Sequence, residues 1–486
     1  MSVWGVEPGL LAGCGCPLCA AEAPNGAAAP EAAEWVWPAS TSGAGLVSGL
    51  RWSTTTVTFS FPSLAAAYDA DPSPGVQYGL GEAVSGFQPL DAAQQAAARA
   101  AFAGAAAVSG LRFVEAAPEA AAIRLAQSAV PATAWAYLPG EGAGGDAWLG
   151  TAGGYFAQPE KGGYGFHAIL HEIGHALGLK HGHEVGASGP LPADEDSMEH
   201  SVMTYRAYAG ATLGGGYPVE TFGYAQSYMQ ADIAALQQLY GANYAHNAGD
   251  TTYAWSPDTG ETFIDGVGQG APAINRIFLT IWDGGGTDTF DFSAYDTDLR
   301  IDLRPGAASL ADEGQLSWLN RFEASAPVFA SGNVYTARLF EDDPRALIEN
   351  AAGGAGHDRI IGNLAANAIS GGAGRDRLEG LEGDDSLDGG DDADRLEGGA
   401  GADRLRGGEG NDALFGGDGH DRLIGASGDD ELEGGSGADS LGGGGGNDRL
   451  LGGTGGDRLL GGGGRVALSG GGGADLLRGS GGGGAL

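Results

Sequence analysis

From residue 358 to residue 477 the chain repeats itself every nine residues. Asp358, Asp376, Asp385, Asp394, Asp403, Asp412, Asp421, Asp430, Asp439, Asp448, Asp457 and Asp475 share one phase, and Asn367 and Val466 fill the two other registers. Ile or Leu stands two residues after every register, from Ile360 and Ile369 to Leu477. Two glycines usually precede, as in Gly371-Gly372-Ala373-Gly374-Arg375-Asp376-Arg377-Leu378. A flexible Gly-rich linker keeps no such phase. The unit Gly-Gly-x-Gly-x-Asp-x-Leu-x is a nonapeptide that builds a parallel β-helix binding Ca2+. Gly permits tight turns and leaves carbonyls facing a cation, Asp supplies a hard oxygen, and the aliphatic residue stacks into a narrow core. Two nonapeptides are expected to make one coil, with several ions between successive turns. Every register Asp from Asp358 to Asp457 is a candidate calcium ligand.

Net charge is −38, which excludes the basic footprint that nucleic acid requires. The acidity suits divalent cations instead. The three cysteines, Cys14, Cys16 and Cys19, all lie near the N-terminus, so no disulfide framework spans the chain. No apolar run approaches the roughly 20 residues of a membrane span. The first basic residue is Arg51, so the N-terminus lacks the basic start of an ordinary signal peptide.

Ahead of the repeats the pattern changes. Residues 1–45 are rich in Ala, Pro and Gly and read as a flexible leader, a candidate propeptide. Trp52 to Phe61 alternates as a strand, and Pro89 to Ser109 is Ala-rich and helical. Leu111–Glu115, Ala122–Ala126 and Thr133–Gly150 read as strands, the last with a turn at Pro139-Gly140. Gly165–Leu179 is helix-competent, and Ala231–Tyr240 has a helical period stopped by Gly241. These elements predict a mixed α+β domain over 46–245, a β-rich connection over 246–350, the repeats over 351–480 and a Gly-rich tail over 481–486.

The strongest local signal is His171-Glu172-Ile173-Gly174-His175-Ala176-Leu177-Gly178-Leu179-Lys180-His181. Histidines at i and i+4 share one helix face, so His171 and His175 can reach one zinc ion. Glu172 adjoins the open position, where it can act as general base on a water. Gly178 lets the chain turn so that His181 becomes the third ligand.

This pattern resembles the metzincin superfamily of zinc peptidases, whose downstream methionine turn matches Ser201-Val202-Met203-Thr204-Tyr205. Tyr205 resembles the serralysin branch, in which such a tyrosine ligates zinc and assists the oxyanion. The stretches Asp232-Ile233-Ala234-Ala235-Leu236 and Ile281-Trp282-Asp283-Gly284-Gly285-Gly286-Thr287-Asp288-Thr289 are also serralysin-like. The resemblance covers about residues 50–480 and implies hemolysin-type (RTX) repeats. It implies a zincin-like (metzincin) α+β catalytic domain followed by an all-β parallel β-helix, or β-roll. It also implies calcium at Asp283, Gly285, Gly286 and Asp288, with Glu349 as a further candidate.

Gly182 stands where a typical serralysin has Pro, and His183-Glu184 follows, so His183 is a competing ligand. His167 and His200 read as packing residues. The expected function is a secreted zinc endopeptidase acting on proteins and peptides, monomeric, exported by a one-step (type I) machinery. The alternative is a calcium-dependent surface or adhesion protein with a vestigial protease domain.

Overall fold

The computed structural model describes residues 33–35, 44–68, 81–83, 85–140, 143–186, 188–213, 217–323 and 325–479. Cys14, Cys16 and Cys19, most of the expected leader, and the tail beyond 480 lie outside the described residues. The chain divides into two units. The first holds the described residues up to His246 together with Pro272–Trp282 and Leu316–Ser331. The second holds Asn247–Ala271, Asp283–Gln315 and the chain from Gly332.

The first unit is built on a five-stranded sheet in the order Arg112–Glu115, Thr56–Ser60, Ile123–Ser128, Ala147–Gly150, Ala134–Ala136. All neighbours are parallel except the last pair. The crossover between the first two parallel strands is helix α1, Ala92–Val108. Asp91 caps it: the Gln94 amide donates to Asp91 Oδ1 at 2.9 Å, and the Asp91 amide donates to Gln94 Oε1 at 2.9 Å. Such a box contributes about 1 kcal/mol. The small face of α1 (Ala97, Ala98, Ala101, Ala105) lets the helix lie close, and Phe102 fills the gap between Phe59 and Phe113 at centroid distances of 4.5 and 4.8 Å.

Helix α2, Tyr164–Ala176, is buried along nearly its whole length, and helix α3 is Gln230–Tyr240. Gly241 ends α3 at φ +79, as its position after the helical run predicts. Trp52 closes the lower end of α2, its indole N–H donating to the Ala176 carbonyl at 2.9 Å. The strand expected over 52–61 is two strands, Leu50–Trp52 and Thr56–Ser60. The polar Ser53-Thr54-Thr55 turn between them is exposed, which breaks the alternation.

In the second unit, six-residue strands alternate between two parallel sheets, and each strand pairs with the strand 18 residues later. One coil is therefore two nonapeptides. Leu378, Leu396, Leu414, Leu432, Leu450 and Leu468 stack in one column. Ile369, Leu387, Leu405, Leu423, Leu441 and Leu459 form the facing one. Both columns are buried. Glycine eases a close approach between coils: at Gly399, φ +114, a Cβ would stand 2.2 Å from the Leu381 carbonyl oxygen of the preceding coil, although Leu381 (φ +85) and Ala426 (φ +86) hold the equivalent place in their own coils.

Candidate metal centre

His171 and His175 lie one turn apart on α2, and a sharp turn brings His181 back to meet them. Gly178 makes that turn at φ +100, where an added Cβ would sit 2.2 Å from the Leu50 carbonyl oxygen. The Nε2 atoms of the three histidines are 3.0, 3.1 and 3.2 Å apart. Tetrahedral zinc at about 2.05 Å from each nitrogen requires a spacing of roughly 3.3 Å. Each ring is aimed by its other nitrogen. His171 Nδ1 lies 2.7 Å from the Val202 carbonyl, His175 Nδ1 2.8 Å from the Leu179 carbonyl, and His181 Nδ1 2.8 Å from Glu184 Oε1. With the three Nδ1–H groups donated outward, only Nε2 lone pairs face the centre, and a cation between them relieves their repulsion. Burial first, and then the neighbouring rings, hold His171 well below the usual imidazole range. The donor set therefore fits zinc.

Glu172 follows His171 on α2 and is buried. Tyr205 lays its ring against the cluster, its centroid 4.3 Å from that of His181 and 5.9 Å from that of His171, stacked on the latter at 11°. Met203 is fully buried beneath the histidines. Ser201 Oγ donates to Asp232 Oδ1 at 2.6 Å, and the Val202 and Met229 amides donate to Asp232 Oδ2 at 2.8 and 2.9 Å. Asp232, in the first turn of α3, thus fixes the turn whose Val202 carbonyl aims His171. Burial pushes its carboxyl up to about 6, and these hydrogen bonds counter the shift.

The loop carrying His181 is pinned by Lys180. Its ammonium is buried and donates to the carbonyls of Gly45, Glu184 and Gly189. Gly182 has a steric reason in place of Pro: a Cβ there would lie 2.7 Å from Asp196 Oδ1. His183 is outside the triangle, its ring 5.6 Å from that of His181 and 5.2 Å from that of Tyr205. His167 is buried between Tyr217 and Tyr224, at ring distances of 5.6 and 5.4 Å, and desolvation lowers it to about 3. His200 also keeps a buried Nδ1.

Glu184 and Asp232 are the functional neighbours that sequence reasoning missed. Glu184 carried one signal, a carboxylate three residues after the third histidine. Asp232 was marked only by the serralysin-like stretch it opens; its role stayed hidden because Ser201 and Val202, which it holds, lie about 30 residues away.

In the second unit the register Asp residues from Asp376 onward are organised in one way: each Oδ1 accepts the backbone N–H of the register residue 18 positions earlier, as from Asp358 to Asp376 and from Asp376 to Asp394 at 2.8 Å. Asp358 differs, with Oδ1 accepting the Leu299 amide and Oδ2 the Gly354 amide, each at 2.8 Å. The Oδ2 atoms of Asp376 through Asp457 are buried with no hydrogen-bond partner. Each lies by the glycine five residues before it: a Cβ on Gly371 would meet Asp376 Oδ2 at 2.2 Å and the Gly389 carbonyl oxygen at 2.7 Å. Carboxylate and carbonyl oxygens converge there, a set that fits calcium. Burial pushes Asp376, Asp385 and Asp394 up to about 7, and Asp421 and Asp430 up to about 6.

The structure also gathers Asp283, Asp288 and Glu349. The Asp288 amide donates to Glu349 Oε2 at 2.8 Å, and the Gly285 amide donates to Asp283 Oδ1 at 2.7 Å. Tyr253 donates its hydroxyl to Asp283 Oδ2 at 2.6 Å. Burial and the adjacent Asp283 carboxylate push Asp288 up to about 8. Gly286, φ +148, passes so close to Gly249 that a Cβ would stand 2.5 Å from its oxygen.

Fold and site together are an α+β domain carrying a three-histidine metal centre, followed by a parallel β-roll. Residues 242–476 match the family described as Peptidase M10 serralysin C terminal. The chain is 39 % identical over 251 residues to Metallopeptidase AprA of Pseudomonas marginalis, covering 49 % of this chain and 46 % of that protein. It is 36 % identical over 230 residues to Serralysin A of Dickeya chrysanthemi, covering 47 % and 42 %. Serralysin of Proteus mirabilis is 35 % identical over 244 residues, covering 48 % and 43 %. The chain thus spans less than half the length of the relatives it matches. These likenesses and the solenoid fit a serralysin-type metalloprotease with a repeat domain. Among the described residues, no helix is long and apolar enough to cross a membrane.

Proposed function

We propose that the chain is a secreted zinc-dependent endopeptidase whose repeats are stabilised by calcium. The observation that carries the reading is the triangle of His171, His175 and His181 Nε2 atoms, each ring aimed from behind, with Glu172 on the same helix. Bound zinc supplies a Lewis acid that polarises the scissile carbonyl and acidifies a water. Glu172 takes the water proton and delivers it to the leaving amine. Tyr205, beside His171 and His181, is suited to reach the metal as a further ligand in the resting site and to donate to the oxyanion as it develops.

The calcium reading rests on the partnerless Oδ2 atoms of the register residues and on the Asp283, Asp288 and Glu349 cluster with Gly285 and Gly286. Protein substrates, a monomeric state and one-step export of the unfolded chain complete the proposal. The catalytic unit is assigned to 46–245, the link to 246–350 and the repeats to 351–480. The test is casein hydrolysis by the full chain in millimolar calcium. Activity that disappears with a zinc chelator and returns with zinc supports the reading; metal-independent activity or none refutes it. The alternative, a surface protein with a decayed site, is countered by the intact set of His171, Glu172, His175, His181, Met203 and Tyr205.

A further inference from the structure

Glu184 and His183 are not used by the chemistry above except that Glu184 aims His181. Ligand atoms of His181, His183 and Glu184 lie within 4.8 Å of one another, a second group able to hold a metal ion beside the three-histidine triangle. His183 Nδ1 is buried without a hydrogen-bond partner, while the residue as a whole is half-buried and approachable from outside. The backbone fixes the group: the His181 amide donates to Glu184 Oε2 at 3.2 Å, and Lys180 holds the Glu184 carbonyl at 2.7 Å. Gly182 permits the close pass against Asp196 that brings His183 round. Two imidazoles and one carboxylate form a borderline-soft donor set that suits zinc rather than calcium.

We propose that His183, Glu184 and the outer nitrogen of His181 form a second, weaker zinc position that inhibits the enzyme. The inference rests on reading the triangle as the catalytic zinc site. When the second ion binds, it takes the electron pair of His181 Nδ1 and that proton leaves to solvent. Glu184 then serves the second ion instead of accepting the His181 N–H. Two consequences follow for the site. The carboxylate that aims His181 is lost to the first ion's geometry, and the new charge lies beside the Tyr205 ring, 5.2 Å from that of His183.

The test uses the full chain loaded with one equivalent of zinc and kept in millimolar calcium. It is dialysed to equilibrium against rising zinc; bound zinc is counted by elemental analysis, and peptide hydrolysis is measured on the same samples. The wild type is expected to bind one equivalent more than His183→Asn and to lose at least fivefold of its activity as that equivalent fills. His183→Asn is expected to keep its activity over the same range. Comparing the two chains cancels any zinc taken by the repeats. Equal zinc counts in both chains, or equal inhibition of both, would overturn the proposal. If neither chain hydrolyses peptide at one equivalent, the endopeptidase reading fails while the difference in zinc count still decides whether the second position exists. Should His183→Asn not fold by circular dichroism, His183→Gln takes its place.

Discussion

Gly174 faces the sulfur of Met203 so closely that a Cβ at position 174 would stand 2.5 Å from it. The helix of His171 and His175 and the turn of Met203 therefore interlock at a single absent side chain. Gly174→Ala must push Met203 down or lift α2, an overpacking that costs about 1–3 kcal/mol. The expected outcome is a lower melting temperature and weaker zinc retention on dialysis. A variant with wild-type stability and metal content would show that the contact relaxes freely.

Glu172→Gln is expected to keep its zinc, which the proposed site assigns to the three histidines, and to lose about 10²–10⁴-fold in peptide hydrolysis, the span of a positioned proton-transfer group. Metal content and turnover are measured on the same sample. Near-normal turnover in the zinc-replete variant would remove Glu172 from the reaction.

Tyr205→Phe keeps the ring packed on His171 and His181 and removes only the hydroxyl. A group acting on the transition state lowers kcat more than it raises KM. Steady-state kinetics on one peptide decide the matter, and an unchanged kcat would leave Tyr205 as packing.

Calcium and pH should oppose each other in the repeats. Free Asp titrates near 3.9. In the metal-free coils Asp376, Asp385 and Asp394 are raised to about 7 by burial. Between these limits the folded state holds more protons than the unfolded one, so metal-free coils weaken as pH rises from about 4 to about 7. Metal-depleted full chain should gain β-signal in circular dichroism when acidified from about pH 8 to about pH 5. At about pH 8, millimolar calcium should restore the same signal and magnesium should do so poorly, because magnesium demands tight octahedral geometry. A spectrum indifferent to both pH and calcium would show that the carboxylates do not gate the coils.

Much of this architecture was legible because its signals are periodic or local. The nine-residue phase dictated coils of 18 residues, since Leu378 meets Leu396 and Ile369 meets Leu387. The spacing of His171, His175 and His181 dictated the triangle. What escaped depends on contacts distant in sequence: Asp232 with Ser201, and Lys180 with Gly45. No window of neighbouring residues contains both partners of either pair. The extent of the first unit was hidden for a similar reason, because Pro272–Trp282 and Leu316–Ser331 join it after the chain has already entered the second.

The hydrogen bonds made by the register carboxylates have a sense of travel. Asp421 Oδ1 receives the N–H of Asp403, and Asp403 Oδ1 receives that of Asp385, always from 18 residues earlier. Loss of the Asp421 carboxylate thus strands a buried donor at Asp403, while the N–H of Asp421 keeps its acceptor at Asp439. A lesion is felt by the coil before it and spared by the coil after it. In its carboxylates, though not in its backbone ladder, the solenoid is a one-way chain of dependence, in which each buried register amide is underwritten by the coil that follows it.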